Sequence, residues 1–153
     1  MRQGTERRWI SASPEDTFRL ARELLAEWGP GTVVALHGEL GAGKTTFVQG
    51  LARALGIHEP VNSPTFTLVN VHHGERTLYH VDLYRLHDDA EAMTLGLDDL
   101  LFGQGLTAIE WAERIANWLP PGTVHLFLQP GAHPNERLFI LRNPPPLASA
   151  ENP

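Results

Sequence analysis

The chain has 153 residues, of which 42% are hydrophobic and 20% are charged, and its formal net charge is −6. These totals predict one domain with a packed core and exclude global disorder, and the acidic balance argues against a protein that coats nucleic acid nonspecifically. The absence of cysteine excludes disulfides, thiolate metal sites and a cysteine nucleophile.

The sequence also lacks the signals of membrane insertion and secretion. Its apolar runs are all shorter than the roughly 18–20 residues needed to cross a bilayer. The first residues, "MRQGTERRWISASPED", have no apolar core of the kind found in signal peptides. We therefore expect a cytoplasmic protein with no membrane association.

The first half of the chain alternates strand and helix patterns. "RRWIS" (7–11) predicts an edge strand, and "SPEDTFRLARELLAEW" (13–28) predicts an amphipathic helix that Ser13 caps. The continuous apolar run "TVVALH" (32–37) is typical of a strand buried on both faces. A second helix, "TTFVQGLARALG" (45–56), follows it and ends at a glycine.

The second half is richer in strands. "SPTFTLVNVHH" (63–73) and "RTLYHVDLYRL" (76–86) predict two strands joined by a short turn, and the pattern near 88–102 predicts helices with poorly defined ends. "LTAIEW" (106–111) predicts another buried strand with a short helix after it. "VHLFLQ" and "RLFILR" then predict a closing hairpin. This order indicates an α/β fold with a mixed, largely parallel sheet flanked by helices.

A glycine-rich motif joins the buried strand to the second helix. In "HGELGAGKTTF", the spacing of Gly38, Gly43, Lys44 and Thr45 matches the Walker A pattern G-x-x-x-x-G-K-[ST], and the flanking elements are those a P-loop requires. The motif predicts a single P-loop NTPase domain over 1–142, followed by a flexible Pro-rich tail over 143–153. The predicted nucleotide-binding loop comprises Gly38, Glu39, Leu40, Gly41, Ala42, Gly43, Lys44, Thr45 and Thr46.

Lys44 is the only lysine among the 12 Lys and Arg residues of the chain. Glycines bring backbone N–H groups close to phosphate oxygens, and the start of the helix adds its positive dipole end. A compact ammonium group reaches between β- and γ-phosphates, where the wider guanidinium of arginine fits poorly. Thr45 would place its hydroxyl on Mg²⁺, and Thr46 would contact the α-phosphate.

Two carboxylates are candidates for holding the metal or the attacking water. Glu110 directly follows a buried strand in the Walker B position, and Asp82 lies near the end of the strand in "YHVDLYR". Each has a structural alternative, a helix cap or ion pair for Glu110 and pairing with Arg85 for Asp82. Trp111 follows Glu110 directly, and on the residues alone packing is its commoner role.

Other polar residues have both a functional and a structural interpretation. Thr65 and Thr67 lie where switch loops of NTPases occur, although a plain turn fits "SPTFT" equally well. The four central histidines lack the spacing of a zinc site, so we expect surface or hydrogen-bonded side chains at His72, His73, His80 and His87. The absence of an N-K-x-D motif disfavours a GTPase. A small-molecule kinase and a regulatory module without turnover remain alternatives to an ATPase.

Four motifs occur in order along the chain, "GELGAGKTTFVQGLARALG", "VNSPTFTLVN", "YHVDLYRL" and "AIEWAERI". Together they closely resemble the TsaE family, formerly called YjeE, the bacterial ATPases of tRNA threonylcarbamoyladenosine synthesis. The resemblance implies a small P-loop domain that binds ATP and Mg²⁺ and hydrolyses ATP weakly unless its partners are present. It implies TsaD and TsaB as those partners in modifying adenosine 37 of tRNAs that read codons beginning with A. Because the chain is acidic, we expect the tRNA to be held mainly through the complex.

The resemblance also implies roles for individual residues. The family's Walker A lysine falls on Lys44, and its two threonines fall on Thr45 and Thr46. The segment "EDTFRLA" resembles the family's N-terminal segment near the adenine, which implies a base-side contact at Thr17. The family's strand aspartate, metal-associated glutamate and functional tryptophan fall on Asp82, Glu110 and Trp111. The candidate catalytic residues are therefore Lys44, Asp82, Glu110 and Trp111, and the candidate metal ligands are Thr45, Glu110 and Asp82.

Overall fold

The structure is a computed structural model that describes residues 5–39, 41–62, 68–94 and 96–143. Within these ranges the chain forms seven strands, four α-helices and one 3₁₀ helix. In chain order they are β1 (Thr5–Ser11), α1 (Pro14–Leu25), β2 (Val33–His37), α2 (Lys44–Ala54), β3 (Val69–His73), β4 (Thr77–Asp82), α3 (Asp89–Thr94), α4 (Leu97–Leu101), β5 (Leu106–Glu110), the 3₁₀ helix (Ala112–Trp118), β6 (Val124–Pro130) and β7 (Arg137–Asn143).

The seven strands form one sheet in the order β1-β7-β6-β2-β5-β4-β3. The central pairings, β6 with β2, β2 with β5 and β5 with β4, are parallel. Antiparallel pairings, β1 with β7, β7 with β6 and β4 with β3, complete the sheet towards its two edges. The predicted α/β class and mixed sheet are confirmed, and the parallel strands occupy the centre, where the P-loop leaves β2.

Both faces of the sheet are covered, and each has its own hydrophobic core. The larger core packs α1 and α2 against one face through residues such as Leu24 and Phe47. The smaller core, around Leu83 and Ile109, lies on the opposite face beneath α4 and the 3₁₀ helix. Burial on two faces explains the continuous apolar run of β2, whose first four residues are all buried.

Local signals explain where α1 begins. The Ser13 hydroxyl accepts a hydrogen bond from the Asp16 backbone N–H (3.1 Å), and Pro14 occupies the first turn of α1, as the sequence predicts. The helix ends at Leu25, before the predicted end at Trp28. The Trp28 ring is nevertheless buried and packs edge-on against Phe47.

Several predicted features lie partly or wholly outside the described residues. Leu40 of the P-loop, the segment 63–67 with Thr65 and Thr67, and residues 144–153 of the predicted tail are among them. The first residue of that predicted tail, Asn143, belongs to β7, and its amide donates to the Thr5 hydroxyl (3.0 Å). No helix in the described ranges is long and apolar enough to cross a membrane.

Candidate active site

The P-loop lies at the carboxyl end of β2 and leads directly into α2. Gly41 and Gly43 have left-handed backbone angles, with φ of 83° and 104°. Gly43 is also the N-cap of α2, so no side chain caps this helix. The backbone N–H groups in the first turn of α2 therefore face the space in front of the loop, and the positive end of the helix dipole lies there too. Both features favour binding of a phosphate group in this space.

Gly38 is required for a different reason. A Cβ built at this position would lie 2.8 Å from the Leu128 carbonyl oxygen and 3.0 Å from the Ala42 Cβ. The backbone φ of 154° is also one that side-chain-bearing residues rarely adopt. The start of the loop therefore packs against β6 without space for any side chain.

Lys44 is buried within this loop, with 8% of its surface exposed. Its Nζ donates to the Gly38 carbonyl oxygen (2.8 Å) and lies 3.7 Å from Glu110 Oε1. It also lies 5.4 Å from the centre of the Trp111 ring. The ammonium group thus sits between the P-loop and the neighbouring carboxylate, with the Gly38 carbonyl oxygen as its hydrogen-bond acceptor.

Asp82 and Glu110 lie side by side at the ends of two parallel strands. They are register partners in the β4–β5 ladder, and each is only 5% exposed. Asp82 Oδ1 accepts a hydrogen bond from the Tyr84 backbone N–H (2.9 Å). Glu110 Oε2 lies 2.7 Å from His80 Nε2. The structure thus brings together two carboxylates that are 28 positions apart in the sequence.

A cavity of about 660 Å³ unites these groups. Its lining comprises Glu39, Gly41, Gly43, Lys44, Thr45, Thr46, Asp82, Tyr84, Glu110 and Trp111. All the candidate catalytic residues and all three candidate metal ligands share this space. Two carboxylates and a threonine hydroxyl are hard oxygen donors, so the donor set fits Mg²⁺.

Trp111 has a strained backbone at the rim of this cavity. Its φ and ψ are 62° and 39°, a left-handed conformation that is unfavourable for a bulky side chain. The ring packs against Tyr84, with centroids 5.0 Å apart, and the Arg114 guanidinium lies 5.9 Å from its centre. The left-handed turn between β5 and the 3₁₀ helix directs the indole towards Lys44. Tyr84, two residues after Asp82, also lines the cavity, although the sequence-based predictions did not include it.

Thr17 lines a second cavity, of about 430 Å³, on another side of the P-loop. Gly43, Thr46 and Arg137 also line it. The Thr17 hydroxyl lies 2.7 Å from the Ser11 hydroxyl, and both residues are buried. The proximity of Thr17 to the loop is compatible with the base-side contact that the resemblance implies, which stays a prediction. Arg137, for which no role was predicted, donates from its guanidinium to the Gly41 carbonyl oxygen (3.5 Å).

Two histidines meet just behind the P-loop. His37 Nε2 lies 2.8 Å from His125 Nδ1, and the His37 ring stacks on Phe127 with centroids 4.5 Å apart. Burial, followed by the charge of His125, lowers the pKa of His37, although Glu113 acts in the opposite direction. Burial and then the charge of Arg142 lower the pKa of His125. Both imidazoles are therefore stabilised in their neutral form.

Two of the four central histidines lie within hydrogen-bonding distance of carboxylates. This agrees with the prediction that these histidines are either on the surface or hydrogen-bonded. His72 Nδ1 lies 2.6 Å from Glu59 Oε1, and His80 contacts Glu110. His73 and His87 are exposed. The position of His80 is notable, because it is fully buried and contacts a residue of the site.

Comparison with known proteins gives a consistent result. The model of a family described as "Threonylcarbamoyl adenosine biosynthesis protein TsaE" matches residues 11–138. The tRNA threonylcarbamoyladenosine biosynthesis protein TsaE of Treponema pallidum (strain Nichols) is 45% identical over 136 residues, covering 87% of this chain and 98% of that protein. The protein of the same name from Bacillus subtilis (strain 168) is 43% identical over 123 residues, covering 80% and 77%. Among solved structures, the crystal structure of YdiB from Bacillus subtilis matches with a TM-score of 0.79 and 34% identity, over 94% of this chain and 88% of that one.

Proposed function

The chain belongs to the TsaE family, and on that basis we propose that it is a Mg²⁺-dependent ATPase of tRNA threonylcarbamoyladenosine formation. The proposed modification is N6-threonylcarbamoyladenosine at position 37 of tRNAs that read codons beginning with A. The observation that carries the ATPase assignment is the shared cavity, in which the P-loop, Lys44 and two neighbouring carboxylates meet. This is the arrangement that phosphoryl-transfer sites of P-loop enzymes use.

In this proposal, the loop and Lys44 bind the phosphates, while Thr45 and the two carboxylates serve the metal and the attacking water. The amides at the start of α2 and the Lys44 ammonium bind the phosphates, and Lys44 exchanges the Gly38 carbonyl for phosphate oxygens. Thr45, Asp82 and Glu110 would hold Mg²⁺, which supplies charge neutralisation of the phosphates when bound. Asp82 and Glu110 are also the two groups able to orient a water molecule for attack.

We further propose that the enzyme is slow alone and is stimulated by TsaB and TsaD. Of the described residues that line the cavity, Lys44 is the only cationic one. A phosphoryl transfer builds negative charge that one lysine and a metal ion compensate incompletely, and an added arginine is worth ~10³–10⁵ in rate. A partner that inserts a cationic side chain beside the γ-phosphate would account for stimulation, with tRNA held mainly by those partners.

The test measures phosphate release from ATP with the chain alone, with TsaB and TsaD, and with tRNA added. We expect feeble release alone and stimulation by about tenfold or more with the partners. Asp82→Ala should retain nucleotide binding and lose the stimulated turnover, whereas Lys44→Ala should lose binding. Unchanged hydrolysis in the presence of TsaB and TsaD would contradict the proposal. ADP formation without phosphate release would instead identify a kinase.

A further inference from the structure

His80 lies beneath α2, on the sheet face that carries the catalytic cavity. On this face, both β4 and β5 begin with an apolar residue and end with a carboxylate. The paired residues, from the start of the strands to their ends, are Leu78 with Leu106, His80 with Ala108, and Asp82 with Glu110. The apolar members belong to the core that α1 and α2 cover. His80 is 0% exposed, so its ring is held between this core and the carboxylates at the strand ends.

The imidazole reaches Glu110 diagonally across the ladder. The register partner of His80 is Ala108, and the partner of Glu110 is Asp82. The methyl side chain of Ala108 leaves room beside the sheet for the ring to extend one step towards the strand end. His80 Nε2 thereby lies 2.7 Å from Glu110 Oε2.

The two oxygens of Glu110 face different groups. Oε2 is held by His80, while Oε1 lies 3.7 Å from Lys44 Nζ. An ionised carboxylate only accepts hydrogen bonds, so in a contact with ionised Glu110 it is His80 Nε2 that donates. Nδ1 of the same ring is buried and has no hydrogen-bond partner among the described residues. Among the described residues, the hydrogen bond that holds the His80 ring is therefore the one between Nε2 and Glu110.

We propose that His80 is a positioning residue that holds Glu110 so that Oε1 faces Lys44 and the catalytic cavity. The inference rests on the proposed function, because it concerns how Glu110 is presented to the metal and the phosphates. Groups that orient a ligating carboxylate typically change metal affinity or activity by ~10–100-fold when they are lost. His80 is such a group, because its buried Nε2 contacts Glu110 Oε2, the oxygen that faces away from Lys44.

The chain contains a matched control on the adjacent strand. His72 is also buried, its Nδ1 lies 2.6 Å from Glu59 Oε1, and its Nε2 likewise has no partner among the described residues. Neither His72 nor Glu59 lines the catalytic cavity. Substitution there changes a similar histidine–carboxylate pair without touching the site.

The experiment measures Mn²⁺ binding by electron paramagnetic resonance in the presence of ADP, and ADP binding without metal by calorimetry. The variants are His80→Leu, which removes the donor, and His80→Gln, whose amide nitrogen can replace Nε2–H, with His72→Leu as control. We expect His80→Leu to weaken Mn²⁺ binding by ~10–100-fold. Metal-free ADP affinity should stay near the wild-type value, His80→Gln should recover most of the Mn²⁺ affinity, and His72→Leu should leave it unchanged.

Wild-type Mn²⁺ affinity in a folded His80→Leu protein would overturn the inference, as would failure of His80→Gln to restore binding. Should His80→Leu not fold, the Gln variant and nitrogen NMR of the wild-type ring decide the matter. A proton on Nε2 supports the inference, and a ring protonated on Nδ1 alone overturns it. Failure of the wild-type chain to bind ADP and Mn²⁺ would instead remove the proposed function.

Discussion

At the scale of single residues, the site depends on backbone conformations that few side chains adopt. Gly43 provides the left-handed start of α2, and Trp111 adopts a left-handed conformation at the start of the 3₁₀ helix. Such strain, of order 1–3 kcal/mol, persists only where the surroundings hold it, and it concentrates at functional sites. In Trp111 it is compensated by ring packing on Tyr84, which leaves the indole near Lys44.

Substitution of Trp111 separates the backbone strain from the contribution of the ring. We expect Trp111→Ala to lower the free energy of unfolding, because it loses the packing on Tyr84 and keeps the unfavourable φ of 62°. Trp111→Gly should be more stable than Trp111→Ala by about 1 kcal/mol, because glycine relieves the strain. Urea denaturation of the two variants measures the difference. A glycine variant less stable than the alanine variant would show that the left-handed conformation carries no strain.

At the scale of elements, α1 and α2 pack closely where they cross. A Cβ added to Gly50 would lie 2.8 Å from the Ala21 Cβ and 3.1 Å from the Phe18 Cα. The missing side chain allows the two helices to approach closely above the central strands. Since α2 begins with Lys44, the position of α1 also determines how firmly the P-loop helix is held.

Gly50→Ala tests this crossing. Alanine is favoured over glycine inside a helix by about 1 kcal/mol, so propensity alone predicts stabilisation. The steric contact should dominate, and we expect a net loss of about 1–3 kcal/mol in the free energy of unfolding. Gly122→Ala is the control, because a Cβ there meets no atom of the described residues within 4 Å. Thermal or urea denaturation in which Gly50→Ala equals or exceeds the wild type would contradict the close approach.

At the scale of the whole molecule, stability should depend on pH through the pair of histidines that joins β2 to β6. Burial lowers the pKa of both His37 and His125 below the ordinary value of 6.5. The unfolded chain therefore binds protons at a higher pH than the folded chain does. The free energy of unfolding falls as the pH is lowered through about 6.5, and the fall ends once the pH is below the folded-state pKa values.

We expect the Tm to decrease between about pH 7.5 and about pH 5.5, in the range where histidines titrate. A double variant, His37→Gln with His125→Gln, should show a flatter profile because it removes the two groups. His58→Gln is the comparison, since His58 is exposed. The assignment fails if the double variant and wild type have parallel pH profiles, or if His58→Gln flattens the profile as much.

Much of the fold and the P-loop could be predicted from the sequence because their signals are local. Helix caps, apolar periodicity and the Walker A spacing depend on neighbours a few residues away, and Ser13 and the strand–loop–helix context of Lys44 illustrate this. The pairing of distant strands is different. The sequence indicated that Asp82 and Glu110 follow strands, and it could not show that those strands are adjacent and in register.

The sequence by itself determined the class of fold, the phosphate-binding loop and the family. Each of these depends on motifs and apolar periodicities formed by residues that are close together in the chain. Only the tertiary structure decided which side chains meet, including the burial of His80 against Glu110 and the packing of Trp111 on Tyr84. Those contacts depend on strand order, ladder register and a strained turn. Each is fixed by packing between segments that lie far apart in the chain, so no local pattern encodes it.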